Sequence, residues 1–198
     1  MTDANDNTQS VTLDALGRVT SQRFSGTENG ALAGYSDAAI LLPESADSAL
    51  TLTAPLPVAL CLTYVTDSWT RSGKAKLPPH VVMLQTDRYD NDPQQQIRQQ
   101  VTFSDGFGRE LQPATRKTDG EAWQRAEDGA LIADADGILV SAQTTFRWTV
   151  SGKREFDNKG QAVRQYQPWF LNSWKYVSDD SARQDLYADT ADEVDGSA

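Results

Sequence analysis

Three stretches of the chain share one skeleton, an extended run that breaks at Asp-x-x-Gly and then resumes. They are Val11–Val19, with Asp14 and Gly17; Val101–Arg109, with Asp105 and Gly108; and Arg154–Gln161, with Asp157 and Gly160. The composition of the break has a mechanical cause. An Asp carboxylate at the first position folds back onto backbone N–H groups two residues on, and Gly at the fourth accepts a positive φ that a side chain resists. Arg18 and Arg109 follow two of the three glycines. A unit of strand, turn and strand cannot bury its apolar face alone, so such units are expected to lie side by side in a larger sheet. The copies are unevenly spaced, so insertions are expected to interrupt the array, which argues against a uniform solenoid.

Other runs read as strands. From Val58 to Val65, Val58, Leu60, Leu62 and Tyr64 fall on one face at period two, predicting that this face is buried and that Cys61 lies on the other. Val81–Arg88 resumes as β. Ile97, Gln99, Val101 and Phe103 alternate with Arg98, Gln100 and Thr102, and this strand feeds the second turn. Asp119-Gly120, Asp128-Gly129 and Asp136-Gly137 read as closely spaced hairpin signals of a meander. Thr145–Val150 alternates again, with Phe146, Trp148 and Val150 together. Between these runs, 26–50 reads as an irregular insertion rich in Gly, Ser, Ala and Asp, with Asn29-Gly30 as a turn signal and one short helical turn starting within Pro43–Asp47. A second short helix is expected over Asp179–Leu186.

The resulting division is a disordered leader over 1–10, one β-sheet segment over 11–190, and an acidic tail over 191–198. The fold class is mainly β, an antiparallel hairpin meander with at most one or two short helices. The 198 residues suffice for one core, and five Trp, six Tyr and six Phe are more aromatic content than disordered chains carry. The net charge of −10, with 18 basic residues against 28 acidic ones, argues against nucleic acid as a partner. No apolar run is long enough to span a membrane, and no signal peptide is visible.

Chemistry-bearing residues are sparse. His80 is the one histidine and Cys61 the one cysteine, so an intrachain disulfide and a four-ligand zinc site of thiolates and imidazoles are excluded. Cys61 sits in an apolar strand, where inert packing is expected. Asp134-Ala135-Asp136-Gly137 has part of a calcium loop, but Ile132 and Gln143 stand where outer ligands belong, so it reads as a turn. No phosphate-cradling glycine pattern occurs. The expectation is a chain without catalytic residues, cofactor or metal. The most aromatic window, Gln165–Tyr176, reads as core packing, with a carbohydrate-binding platform of Trp169, Trp174 and Tyr176 as the alternative.

Gln96–Arg109 resembles the carboxy-terminal part of the B component of bacterial Tc insecticidal toxin complexes, in the same broad group as SpvB-like proteins. Val11–Glu28, Pro55–Trp69 with its Tyr64-Val65-Thr66-Asp67-Ser68-Trp69, and Tyr166–Thr190 resemble that family in the same order, and the hairpin units are similar to YD, or Rhs, repeats. The resemblance implies an open segment of a larger β-sheet shell that, with the C component, encloses a cytotoxic polypeptide. It further implies a non-enzymatic role, manufacture in the bacterial cytoplasm, and release as part of a secreted toxin complex. Contact with the A component is expected only through regions absent here. After Thr190 the family would continue into another Tyr-Asp turn, whereas Ala191–Ala198 is acidic and terminal, so the sequence reads as a carboxy-terminal fragment.

Overall fold

The computed structural model describes residues 2, 7–70, 77–127, 129–151, 154–166, 168–176 and 187–188. It is mainly β, with one short helix among the described residues, and its sheets are open and antiparallel-rich. The chain divides into two compact units, one comprising 1–66 and 80–101, the other 67–79 and 102–198.

The first unit contains β1 (Thr8–Leu13), β2 (Val19–Glu28), β3 (Ala31–Gly34), α1 (Ala46–Leu50), β4 (Leu60–Val65), β5 (His80–Thr86) and most of β6 (Ile97–Ser104). The strands lie in the order β1-β2-β4-β5-β6, and β3 also pairs with β2. Cross-strand register decides which side of β4 faces inward. Cys61 lies opposite Leu84, Thr63 opposite Val82 and Val65 opposite His80, and directly paired residues share a face. Because Val82 and Leu84 are fully buried, Cys61, Thr63 and Val65 are buried with them. The period-two pattern thus marks the strand but inverts its face: Leu60, Leu62 and Tyr64 are half-buried on the opposite side, while Val58, just before the strand, is buried as expected. Both faces carry apolar residues, with Cys61 and Val65 on one and Leu60 and Leu62 on the other, so alternation alone carries no sign.

Two segment boundaries differ here, and the short helix lies where it is expected. β1 begins at Thr8, inside the stretch read as leader, with Thr2 bridged to Thr8. The segment read as an irregular insertion contains the β2–β3 hairpin, whose turn has both Asn29 (φ 52°) and Gly30 (φ 81°) in the left-handed region, as a two-residue hairpin requires. It also contains α1, which starts where Ser45 accepts from the Ser48 N–H at 3.1 Å while the Ser48 hydroxyl accepts from the Ser45 N–H at 3.1 Å. In β6, Gln99, Val101 and Phe103 do share the buried face, and the Gln99 amide donates to the Leu50 carbonyl at 3.1 Å.

The second unit contains the end of β6, then β7 (Glu110–Arg116), β8 (Gly120–Trp123), β9 (Ser141–Thr144), β10 (Trp148–Val150), β11 (Arg154–Phe156), β12 (Ala162–Tyr166), β13 (Trp169–Leu171) and β14 (Tyr187–Ala188). One sheet runs β6-β7-β10-β13-β8-β9 and a second runs β11-β12-β14. Its core is Phe103, Ala114, Ala122, Trp148, Val150, Trp169 and Leu171. The chain does not simply meander. β10 pairs with β7 and β13, while β8 pairs with β9 and, in parallel, with β13 through Leu171 and Trp123. Asp119-Gly120 consequently makes no hairpin between β7 and β8. Asp119 accepts instead from the Phe146 N–H at 3.0 Å, and Gly120 opens β8 where a Cβ would collide with the Arg147 guanidinium. Phe146 is half exposed at φ 54° in the turn before β10, so only Trp148 and Val150 of the expected trio are buried. The helix expected over Asp179–Leu186 and the acidic tail lie outside the described residues.

Candidate functional site

The three Asp-x-x-Gly breaks are turns with the same hydrogen bonds. In the first, the Asp14 N–H donates to the Arg18 carbonyl at 2.9 Å and the Gly17 N–H donates to the Asp14 carbonyl at 3.0 Å. One Asp14 carboxylate oxygen accepts from the Leu16 and Arg18 N–H groups, both at 2.9 Å. In the second, Asp105 accepts from the Phe107 and Arg109 N–H groups at 2.9 Å. In the third, Asp157 accepts from Lys159 at 2.9 Å and Gln161 at 2.8 Å. Gly17, Gly108 and Gly160 take φ of 76°, 78° and 80°. This is a three-residue hairpin loop closed by a left-handed residue and a bulge, and the register shifts at Thr12/Leu13 and Glu155/Phe156 mark the bulge.

A fourth turn of the same build occurs at Asp134–Gly137, expected from the sequence as a turn but not as a copy of the other three. The Asp134 carboxylate accepts from the Asp136 and Ile138 N–H groups at 2.9 Å, and Gly137 takes φ 81°. The signal was present in the Asp134-to-Gly137 spacing. It was hidden because the short flanking runs hold only isolated bridges, Arg125–Leu131 and Ala133–Leu139, in place of long strands. Gly129 closes a fifth turn with the same two backbone bonds to Ala126, here without an Asp at the first position.

Where Arg follows the glycine, a second layer of contacts forms. Arg18 Nε donates to the other Asp14 oxygen at 2.7 Å, and Arg109 Nε donates to Asp105 at 2.6 Å. Each guanidinium also lies over an aromatic ring of another strand, Arg18 over Tyr64 at 4.3 Å and Arg109 over Phe156 at 4.6 Å. The Asp14 carboxyl is held below its ordinary pKa chiefly by the Arg18 backbone N–H; desolvation, the next largest effect, pushes upward and is outweighed with the help of the Arg18 side chain and the Leu16 N–H. For Asp105 desolvation is the largest single effect and pushes upward. It is outweighed together by the Arg109 N–H, the Arg109 side chain and the Phe107 N–H, so the net direction is down.

The aromatic window is used in packing. Trp169 is buried on β13, Trp174 stacks on Phe103 with centroids 6.0 Å apart, and Tyr176 tilts against the same ring at 5.7 Å. Phe103 is itself fully buried, so Trp174 and Tyr176 close over the core of the second unit. Cys61 is buried and desolvation pushes its thiol up to about 11, which keeps it protonated near neutrality. Among the described residues no three His, Cys, Asp or Glu side chains are placed to hold a metal ion. No helix among them is long and apolar enough to cross a membrane.

No family model and no curated protein matches the sequence. Solved structures do. A chain of a crystal structure of TcdB2-TccC3 is 54% identical over 92% of this chain, with a TM-score of 0.84. A chain of TcdB2-TccC3 without its hypervariable C-terminal region is 42% identical over 92% of this chain, with a TM-score of 0.82. A chain of the Photorhabdus luminescens Tc holotoxin pore is 44% identical over 93%, with a TM-score of 0.82. This chain spans 8% of the first and 11% of the other two. Over nearly its whole length, then, the chain is similar in both sequence and fold to one short segment of a Tc toxin complex component.

Proposed function

We propose that this chain is a wall segment of a Tc toxin B component, built of Rhs-type hairpins, and that it helps enclose the cytotoxic part of a C component for delivery. The observation that carries this reading is the 54% identity and TM-score of 0.84 to a TcdB2-TccC3 chain over 92% of the sequence. The open sheets fit the role, because a sheet that ends in edge strands has somewhere to attach its neighbours. The work of such a segment is mechanical rather than catalytic: it keeps a polypeptide from water and proteases. The C component is the expected partner, and the complex is the expected secreted form.

The test is limited proteolysis of a C component coexpressed with the complete B component carrying this segment. Protection of the toxic region, lost when residues 8–176 are deleted, supports the reading. Equal digestion with and without the B component would remove it.

A further inference from the structure

The Asp-x-x-Gly-Arg turns do more than reverse the chain. Nε of each arginine is fixed by the carboxylate of its own turn, at 2.7 Å in Arg18 and 2.6 Å in Arg109. That bond lies in the guanidinium plane, so it leaves the flat faces of the group available. In both cases one face meets an aromatic ring that belongs to a different strand. Tyr64 is on β4, and the β2–β4 register, with Ser21 opposite Cys61, extrapolates to Arg18 opposite Tyr64. Phe156 is on β11, a strand of the second sheet of its unit. The same motif thus reaches a ring within one sheet in the first unit and a ring of a separate sheet in the other.

We infer that Asp-x-x-Gly-Arg is a lateral docking element, in which the turn carboxylate aims an arginine face at an aromatic ring on another strand, of the same or a separate sheet, and so sets where the neighbouring hairpin sits. A second observation supports this independently. Gly160, in the third turn, lies against the Arg109 guanidinium, where an added Cβ would come within 2.9 Å of a terminal nitrogen. Two demands coincide at that glycine: a positive φ, shared with Gly17 and Gly108, and room for the arginine of another hairpin. Gly17 and Gly108 meet nothing within 4 Å. The two turns that continue with Ile138 and Gln161 have no cation to dock in this way, so the residue after the glycine distinguishes turns that tether a neighbour from turns that only reverse the chain. Lysine would be a poor substitute, because it has no planar face to stack while its nitrogen is bonded to the carboxylate.

The test is a pair of double-mutant cycles on the full chain, Arg18→Gln with Tyr64→Leu and Arg109→Gln with Phe156→Leu, read by denaturant unfolding. An arginine stacked on a ring at a partly exposed site predicts coupling of roughly two- to five-fold in the unfolding constant for each pair. Arg109→Lys should recover little of the loss. A spectroscopic readout on the unaltered chain keeps the test decisive if a variant fails to fold: cross-relaxation between the Arg109 Nε–H and the Phe156 ring protons, and between the Arg18 Nε–H and the Tyr64 ring. Cross-peaks at both sites support docking. Additive cycles, or folded protein without either cross-peak, would overturn it.

Discussion

The turn glycines allow conformational cost to be separated from packing. Gly17 and Gly108 have positive φ and open space where a Cβ would go. Alanine at either position should therefore cost about 1–2 kcal/mol, from the left-handed backbone alone. Gly160→Ala should cost more, because the new Cβ also displaces the Arg109 guanidinium, and the excess should vanish in an Arg109→Ala background; chemical denaturation of the four variants checks this. Gln112 makes the opposite prediction. It is fully buried on β7, and neither its amide oxygen nor its nitrogen has a hydrogen-bond partner among the described residues. Gln112→Met keeps the length and removes the unsatisfied amide, so stability should rise by about 1 kcal/mol, visible as a higher thermal midpoint. The turn carboxylates add a pH dependence with a definite sign. Asp14 and Asp105 have depressed pKa values in the folded chain, so their contribution is fully present above the ordinary carboxylate pKa and is lost as pH falls through the folded values. Amide exchange at Leu16 and Phe107, corrected for intrinsic rate, should therefore accelerate below that point, and Asp105→Asn should flatten the response at Phe107.

The hairpins were the most legible elements, because Asp, Gly and their fixed spacing encode a backbone conformation directly, and Asn29-Gly30 did the same for β2–β3. Faces were less legible. β4 carries apolar residues on both sides, and only pairing with Val82 and Leu84 shows that Cys61, Thr63 and Val65 turn inward. Long-range pairing was not legible at all: nothing local to Gly120–Trp123 reveals that β8 joins β13 in parallel, or that β10 rather than β8 lies beside β7. The aromatic window packs Trp174 and Tyr176 on Phe103, a target some seventy residues earlier that no local signal reveals. Phe103→Ala should consequently be among the costliest single changes, about 3–5 kcal/mol, since it opens a cavity and leaves Trp174 and Tyr176 without their support. Loss of Trp fluorescence anisotropy alongside a lower unfolding midpoint would report both effects.

The chain spans 8% to 11% of the Tc toxin chains it resembles, and in those chains the matched segment is one part of a long polypeptide. Among the described residues the eleven-stranded sheet ends at β1 and β9, the strands where such neighbours would attach. Val11 and Leu13 of β1 are half exposed among the polar residues Thr8, Gln9, Ser10 and Thr12. If the sheets are panels of a wall, these edges are their working surfaces. Hydrogen exchange of the β1 and β9 amides that point away from β2 and β8 tests this most directly, compared between the separate chain and the same residues within a complete, assembled B–C complex. Paired panels predict marked slowing of those amides on assembly, while amides already bonded to β2 and β8 change little. Equally fast exchange in both states would contradict the account.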